Sequence, residues 1–411
     1  MTYRMGIADG YPIIDADTHI TEPPDLWTSR LPKKYLEQAP RVIDGLHGGK
    51  AWAMPNGNTM SLSILINTAG QHPMDWEMIP KDGFDRMRKG AWDPAERIQD
   101  MNIDMVDVHL IFPSYAFMIM GNDKDHDAYL ANVRAYNDWM AEFCSYAPDR
   151  LYAYAALPHS GVEDAIAEAK RIRKYPCFKS VVLRTWPSGA TVAKHPVDDP
   201  FWSAMEDLDL GVACHVGFNI GGELRDPDVL LNMATLPFIN QEKLAISAMP
   251  VLSEMVLGGA LERHPRLRFG LLEVGVAWVP FFMEQSDDNY MRHRFWTNSH
   301  LSMPPSEYWS RQCFASFQVD TYGLANRDRV GIDTIMWTSD YPHAGSDWPY
   351  ARERINMQLG HLPEDEKRKI LCDNVARFYG LDASDLARAT GASTNEAKPK
   401  RAAKAPVKAR A

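Results

Sequence analysis

The 411-residue chain has no run approaching ~20 uninterrupted apolar residues, which leaves no candidate for a membrane-spanning helix. Its first residues, MTYRMGIADGYP, contain no apolar signal core, so a cytoplasmic location is expected. Cysteine is sparse: Cys144, Cys177, Cys214, Cys313 and Cys372 lie far apart, with no CxxC pair and an odd total. That usage excludes a disulfide framework and a structural zinc knuckle, and fits a reducing compartment. Excess positive charge is missing too. A formal net charge of -10 argues against a body built to hold nucleic acid or an anionic membrane.

What is present is a core. Hydrophobic residues make up 45% of the chain and aromatics 10%, with Gly and Pro spread along it. The most informative stretch is PIIDADTHITEPPDLW, residues 12–27. Read as a buried strand, its period of two puts Asp15, Asp17 and His19 on one face. Two carboxylates and an imidazole aimed into an apolar core cost several kcal/mol unless a positive group sits between them, and a divalent metal is the usual solution. Asp17 and His19 are therefore expected to form half of a metal site. Asp15, which sits deeper, is expected to have a structural hydrogen-bonding role.

Residues 23–92 have mixed character and read as an insertion, with a hairpin candidate in KAWAMPNGNTMSLSILI around Pro55-Asn56-Gly57-Asn58. Placed directly after the strand bearing Asp17 and His19, the insertion should lie over the same end of the fold, as a lid or as a packing element. From Asp93 strand and helix alternate. Asp93-Pro94-Ala95-Glu96 is a capping-box start, and strands are expected in MVDVHLIFPS, LYAYAALP, FKSVVLRT, VACHVGF, LRFGLLEVG, CFASFQVD and TIMWTSD. One long helix is expected over QEKLAISAMPVLSEMVLGGALERH, residues 241–264, kinked at Pro250. The helix PEDEKRKILCDNVARFYG should close the fold, ending at Gly380. With the opener this makes eight strands separated by helices, the signature of a (β/α)8 TIM barrel with parallel strands. The expected organisation is one barrel unit over residues 1–383, including the 23–92 insertion, followed by a disordered basic Ala/Lys/Pro tail over 384–411. The tail reads as a solvated extension, so nucleic acid is not an expected partner.

In such a barrel the active site lies at the C-terminal ends of the strands. His215 falls near the end of the fifth strand, Glu273 at the end of the sixth and Asp340 at the end of the eighth, with His343 in the loop beyond. Asp17, His19, His215 and Asp340 together offer two carboxylates and two imidazoles, a set suited to Zn²⁺, Mn²⁺ or Fe²⁺ rather than to Ca²⁺ or Mg²⁺. With one position open, such a metal binds and acidifies water. Glu273 or Asp340 would take the water's proton, and His343 would stabilise or protonate the leaving side. Arg184, at the end of the fourth strand, is the candidate for binding a substrate carboxylate.

The segments DADTHITEPPDLW, AWDPAERIQDMNIDMVDVHLIFPS, ACHVG, LRFGLLEVG followed by AWVP, and TSDYPHAGSDWP resemble the second amidohydrolase-related family, the branch that includes aminocarboxymuconate-semialdehyde decarboxylase. The resemblance runs over about residues 12–380. It implies a metal-bearing barrel, usually with zinc or manganese, and a hydrolase or nonoxidative decarboxylase acting on small, often aromatic or ring-derived acids. Its first-strand metal pair falls on Asp17 and His19, its fifth-strand histidine on His215 and its eighth-strand aspartate on Asp340. A homodimer is expected from the same resemblance and from the apolar insertion. Two departures stand out. The first-strand pair is Asp-x-His where the family has His-x-His or Glu-x-His, and Leu272-Glu273 replaces a Ser-His pair whose histidine is a catalytic acid or base in the decarboxylases. A glutamate must have its pKa raised before it can protonate a carbanion, whereas a hydrolase needs a base already ionised at pH 7. Hydrolysis of a small carboxylated or cyclic substrate, with zinc as the metal, is therefore the first expectation. Decarboxylation of an aromatic or dienoic acid, with His343 as proton donor, is the alternative.

Overall fold

Strands buried on both faces read as nearly continuous apolar runs, and eight such runs give the molecule its frame. In the computed structural model the described residues are 10–389 apart from 46–48, 63–65, 120–124, 191–195, 217, 219–247 and 298. In chain order the strands are β1 (Ile14–His19), β2 (Arg41–Asp44), β3 (Lys50–Ala53), β4 (Thr59–Ser61), β5 (Val108–Phe112), β6 (Leu151–Ala156), β7 (Ser180–Leu183), β8 (Gly211–His215), β9 (Phe269–Leu272), β10 (Cys313–Phe317) and β11 (Ile335–Trp337). Strands β1 and β5 to β11 form one eight-stranded sheet in which every ladder is parallel. All eight are the expected ones. The fold is a (β/α)8 barrel.

Closure between the last strand and the first is made beyond Trp337. Thr338 Oγ1 and Ser339 N donate to Asp15 Oδ1 at 2.9 and 3.1 Å, Asp340 N donates to Asp17 O at 3.2 Å, and His19 N donates to Tyr341 O at 2.6 Å. Asp15 thus fastens the seam, the structural role expected of it. At the opposite end the helix Asn374–Tyr379 covers the N-terminal starts of the strands. Tyr379 Oη donates to Cys177 O, and Arg268 Nε donates to Phe378 O at 2.9 Å. This helix ends at Gly380, whose φ of 90° supplies the left-handed turn predicted for that position.

Asp93 caps the helix Pro94–Asp104 by accepting from Ala95 N and Glu96 N, as its capping signature predicts. The insertion folds as a three-stranded antiparallel sheet, β2-β3-β4, with the expected hairpin turn at Gly57 and one strand, β2, that was not anticipated. It lies over the C-terminal end of the barrel. Trp52 is buried against Trp27 and Tyr115, Thr68 N and Ala69 N donate to Pro342 O, and the Arg88 guanidinium stacks 3.5 Å above the Trp348 ring while pairing with Asp100. These contacts make it a packed wall beside the strand-end loops.

Two boundaries differ from expectation. The stretch 241–264 is described from 248: it is helical over 248–257 and breaks at Gly259, whose φ is 74°, before resuming at Ala260–Arg263, while the part expected before Pro250 lies largely outside the described residues. The first residues assigned to the tail instead form the helix Ala383–Ala389, docked through an ion pair between Lys179 and the buried Asp385. The remainder of the tail, 390–411, lies outside the described residues.

Gly270 in β9 shows how tightly the barrel floor is packed. A Cβ there would sit 2.4 Å from Phe378 Cζ and 2.9 Å from Leu272 Cδ2. Gly270→Ala is expected to destabilise the fold by about 1–3 kcal/mol through overpacking. Thermal unfolding of the variant beside the wild type checks this, and an unchanged midpoint would contradict the packing described.

Candidate metal centre

Five of the expected residues meet at the C-terminal mouth of the barrel. Asp17 and His19 come from β1, His215 ends β8, Glu273 follows β9, and Asp340 lies three residues past β11. Glu273 and Asp340 have φ angles of 59° and 58°, a left-handed conformation uncommon for residues with a Cβ and one that clusters at functional sites. At both positions the chain leaves its strand with this sharp turn, which aims the carboxyl toward the barrel axis.

The distances describe a ring of donor atoms. His19 Nε2 lies 3.3 Å from Asp17 Oδ1 and 3.4 Å from Asp340 Oδ1, while His215 Nε2 lies 3.3 Å from both Asp17 Oδ2 and Glu273 Oε2. His343 joins through Nδ1, 2.9 Å from Asp340 Oδ1, and its ring stacks on His19 at 3.8 Å. Two sets of potential ligands result: Asp17, His19, His215 and Glu273, and His19, Asp340 and His343. Both carboxylate oxygens of Asp17, Nε2 of His19 and of His215, and Oδ1 of Asp340 are buried without a hydrogen-bond partner. Leaving this many polar atoms unsatisfied is costly, and a divalent cation held among either set would satisfy several of them, with His19 common to both. Nδ1 of His215 lies 3.2 Å from Val216 O, an arrangement that places its proton there and turns the Nε2 lone pair inward.

The electrostatics follow from the same crowding. Burial opposes the charge on Asp17, but His215 and His19 outweigh it and hold the carboxyl well below its usual range. Burial likewise opposes the charge on His215, and Asp17 overcomes it, pushing this imidazole up to about 9. Burial lowers His19 to about 4 and His343 to about 3, with neighbouring imidazoles adding repulsion. Burial raises Asp340 to about 7, and burial together with Asp340 drives Glu273 well above the carboxylate range. The idea that Glu273 or Asp340 is already an ionised base at pH 7 therefore loses its ground in the protein alone. His343, neutral at that pH, is not a resting proton donor.

Arg184 stands one residue past β7 at the same end of the barrel. Its guanidinium donates to Phe117 O, and burial, with the Arg184 charge adding to it, lowers the pKa of His159. The structure also draws in residues that pattern reading did not single out. Arg97, buried with no exposure, donates to His19 O at 2.9 Å and to Thr18 Oγ1 at 2.9 Å, bracing β1 from below. Ser114 contacts two of the histidines and is held by Glu22. Glu22 lies in the TEPPDLW segment, where a lone acid in a loop reads as solvated; only the fold reveals that it is buried.

The family model described as amidohydrolase matches residues 14–381. The chain belongs to the amidohydrolase family. Among curated proteins the chain is 25% identical over 309 residues to gamma-resorcylate decarboxylase of Rhizobium radiobacter, covering 69% of this chain and 88% of that one. It is 24% identical over 314 residues to 2-amino-3-carboxymuconate-6-semialdehyde decarboxylase of Dictyostelium discoideum, covering 74% and 81%. Solved structures with the same fold include an amidohydrolase from Mycobacterium avium subsp. paratuberculosis, with a TM-score of 0.70 at 18% identity, covering 90% of this chain and 99% of that one. Another is 5-carboxyvanillate decarboxylase from Novosphingobium aromaticivorans, crystallised with manganese, with a TM-score of 0.65 at 16% identity and coverage of 93% and 100%.

A cation entering the site must displace the proton on His215. Between about pH 7 and about pH 9 affinity should rise about tenfold per pH unit, because the His215 proton is released for each ion bound, and below about pH 7, where Asp340 also holds a proton, it should rise more steeply. Calorimetric titration with Mn²⁺ between about pH 6 and pH 8 is expected to show this tightening, and Asp17→Asn is expected to abolish uptake. Affinity independent of pH would sink the assignment of His215 as a ligand.

Proposed function

We propose that the protein is a divalent-metal-dependent nonoxidative decarboxylase of a small aromatic acid. The likeness to curated decarboxylases carries this reading, and Glu273 fits it: 3.3 Å from His215, its carboxyl is pushed well above the usual range by burial and by Asp340 before any cation is bound. The preference for hydrolysis rested on a carboxylate already ionised at neutral pH. Loss of CO2 needs the opposite, an acid that can give a proton to the carbon left holding the electron pair. The decarboxylase relatives support the same choice.

Asp17, His19, His215 and Asp340 would hold the ion, manganese or zinc, whose charge would draw the substrate's oxygen atoms into the mouth of the barrel. In the reaction the bond from the ring carbon to the carboxylate breaks, CO2 leaves, and the electron pair stays on carbon. Glu273 supplies the proton that fills the vacated position. The resulting carboxylate regains a proton from water through the side chain's 24% exposure. His343, which burial keeps neutral, orients Asp340 and is not the proton donor. Arg184 is assigned to an acidic group of the substrate, at the same end of the barrel. A reducing, cytoplasmic setting accords with five free cysteines, all buried. No helix among the described residues is long and apolar enough to cross a membrane. A homodimer is retained in this reading, the exposed Phe281, Phe295 and Trp296 offering an apolar face, and sedimentation would test it.

The deciding assay uses Mn²⁺-loaded protein with 2,6-dihydroxybenzoate and 5-carboxyvanillate in D2O. CO2 release with one deuterium at the vacated ring carbon is expected, and Glu273→Gln should lower kcat by about 10²–10⁴. Turnover of esters, lactones or amides, with no acid of the panel losing CO2, would restore hydrolysis as the better reading.

A further inference from the structure

One buried hydroxyl at the mouth is left unused by this chemistry. Ser114, just past β5, is 6% exposed, and its Oγ lies 3.4 Å from His19 Nδ1 and 3.4 Å from His343 Nε2. Its backbone is pinned. Glu22, with no exposure, accepts from Ser114 N at 3.0 Å and Ala116 N at 3.1 Å on one carboxylate oxygen, and from Tyr115 N at 2.9 Å on the other. Three successive N–H groups on one carboxylate fix where the helix Tyr115–Ile119 begins and hence where the Ser114 hydroxyl points.

Counting protons around that hydroxyl leaves one consistent arrangement. A neutral imidazole has one N–H and one lone pair, and a serine hydroxyl has a single proton to donate. His19 Nε2 faces the centre of the cluster with no hydrogen bond, and to ligate a cation it must present its lone pair there. The His19 proton then belongs on Nδ1, where Ser114 Oγ accepts it. The serine proton is left for His343 Nε2, which must be an acceptor. His343 therefore carries its own proton on Nδ1, 2.9 Å from the Asp340 carboxylate that attracts it. Reversing the His19 bond turns its lone pair away from the centre, and reversing the His343 bond makes the serine accept twice and sets a His343 Nδ1 lone pair 2.9 Å from the Asp340 carboxylate, which is ionised when it holds the cation.

We propose that Ser114, anchored by Glu22, is a positioning residue that fixes the tautomers of His19 and His343 and so holds the His19 lone pair toward the cation. This rests on reading the cluster as a cation site, and the experiment separates the two ideas. Full-length wild type, Ser114→Ala and Ser114→Thr are titrated calorimetrically with Mn²⁺, melted without it, and assayed for kcat and KM. Ser114→Ala is expected to bind Mn²⁺ about 10–100-fold more weakly, as loss of a group orienting a ligand histidine does, with its metal-free melting midpoint unchanged. Ser114→Thr, which keeps the hydroxyl, is expected to restore the affinity, and kcat is expected to fall in the alanine variant more than KM changes. Wild-type affinity in Ser114→Ala, no rescue by threonine, or a loss matched by lower metal-free stability would overturn the role of Ser114 and leave the cation site standing. A wild-type protein that takes up no Mn²⁺ would overturn both.

Discussion

The structure depends on the mutual attraction and repulsion of ionisable groups packed where water cannot solvate them. Asp17, His19 and Asp340 are each no more than 4% exposed, and several of their polar atoms lack hydrogen bonds. Such a cluster is tolerable only if protons or a cation neutralise it. The surrounding scaffold explains how it is kept from relaxing. Arg97 grips the His19 carbonyl from below, Asp15 ties β1 to the residues after β11, and the insertion packs Trp52 against Tyr115 beyond β5.

The same crowding divides labour among chemically similar groups. Asp17 and Glu273 are both carboxylates within 3.3 Å of His215, yet they are driven in opposite directions. Asp17 faces two imidazoles that favour its charge, whereas Glu273 has Asp340 as a competing acid. Two carboxyl groups with separated proton affinities are the arrangement expected where one binds a cation and the other moves a proton. Family membership alone does not choose between hydrolysis and decarboxylation. The environment of Glu273, which favours its protonated form, supports the proposal of decarboxylation.

Much of this was legible in the chain itself. Strict alternation of apolar runs with amphipathic segments marked all eight barrel strands, and the period of two in DADTH put Asp15, Asp17 and His19 on one face. Strand-end positions then singled out His215, Glu273 and Asp340, because in a parallel barrel the end of one strand is brought beside the ends of all the others. Local signals failed where tertiary contacts decide. The strand β2 exists because β3 offers it an edge, and the helix Ala383–Ala389 exists in a low-complexity stretch because Lys179 meets Asp385.

The order of apolar and polar residues along the chain therefore determined the barrel and the identity of the groups at its mouth, since periodicity and strand ends are properties of sequence position. Protonation, tautomer and accessory residues were decided by tertiary structure, since each depends on distances between segments far apart in the chain. Glu22 and Ser114 are 92 positions apart, and His343 lies 229 beyond Ser114. Only the closed barrel brings these three together beside His19 and makes one hydroxyl the neighbour of two imidazoles.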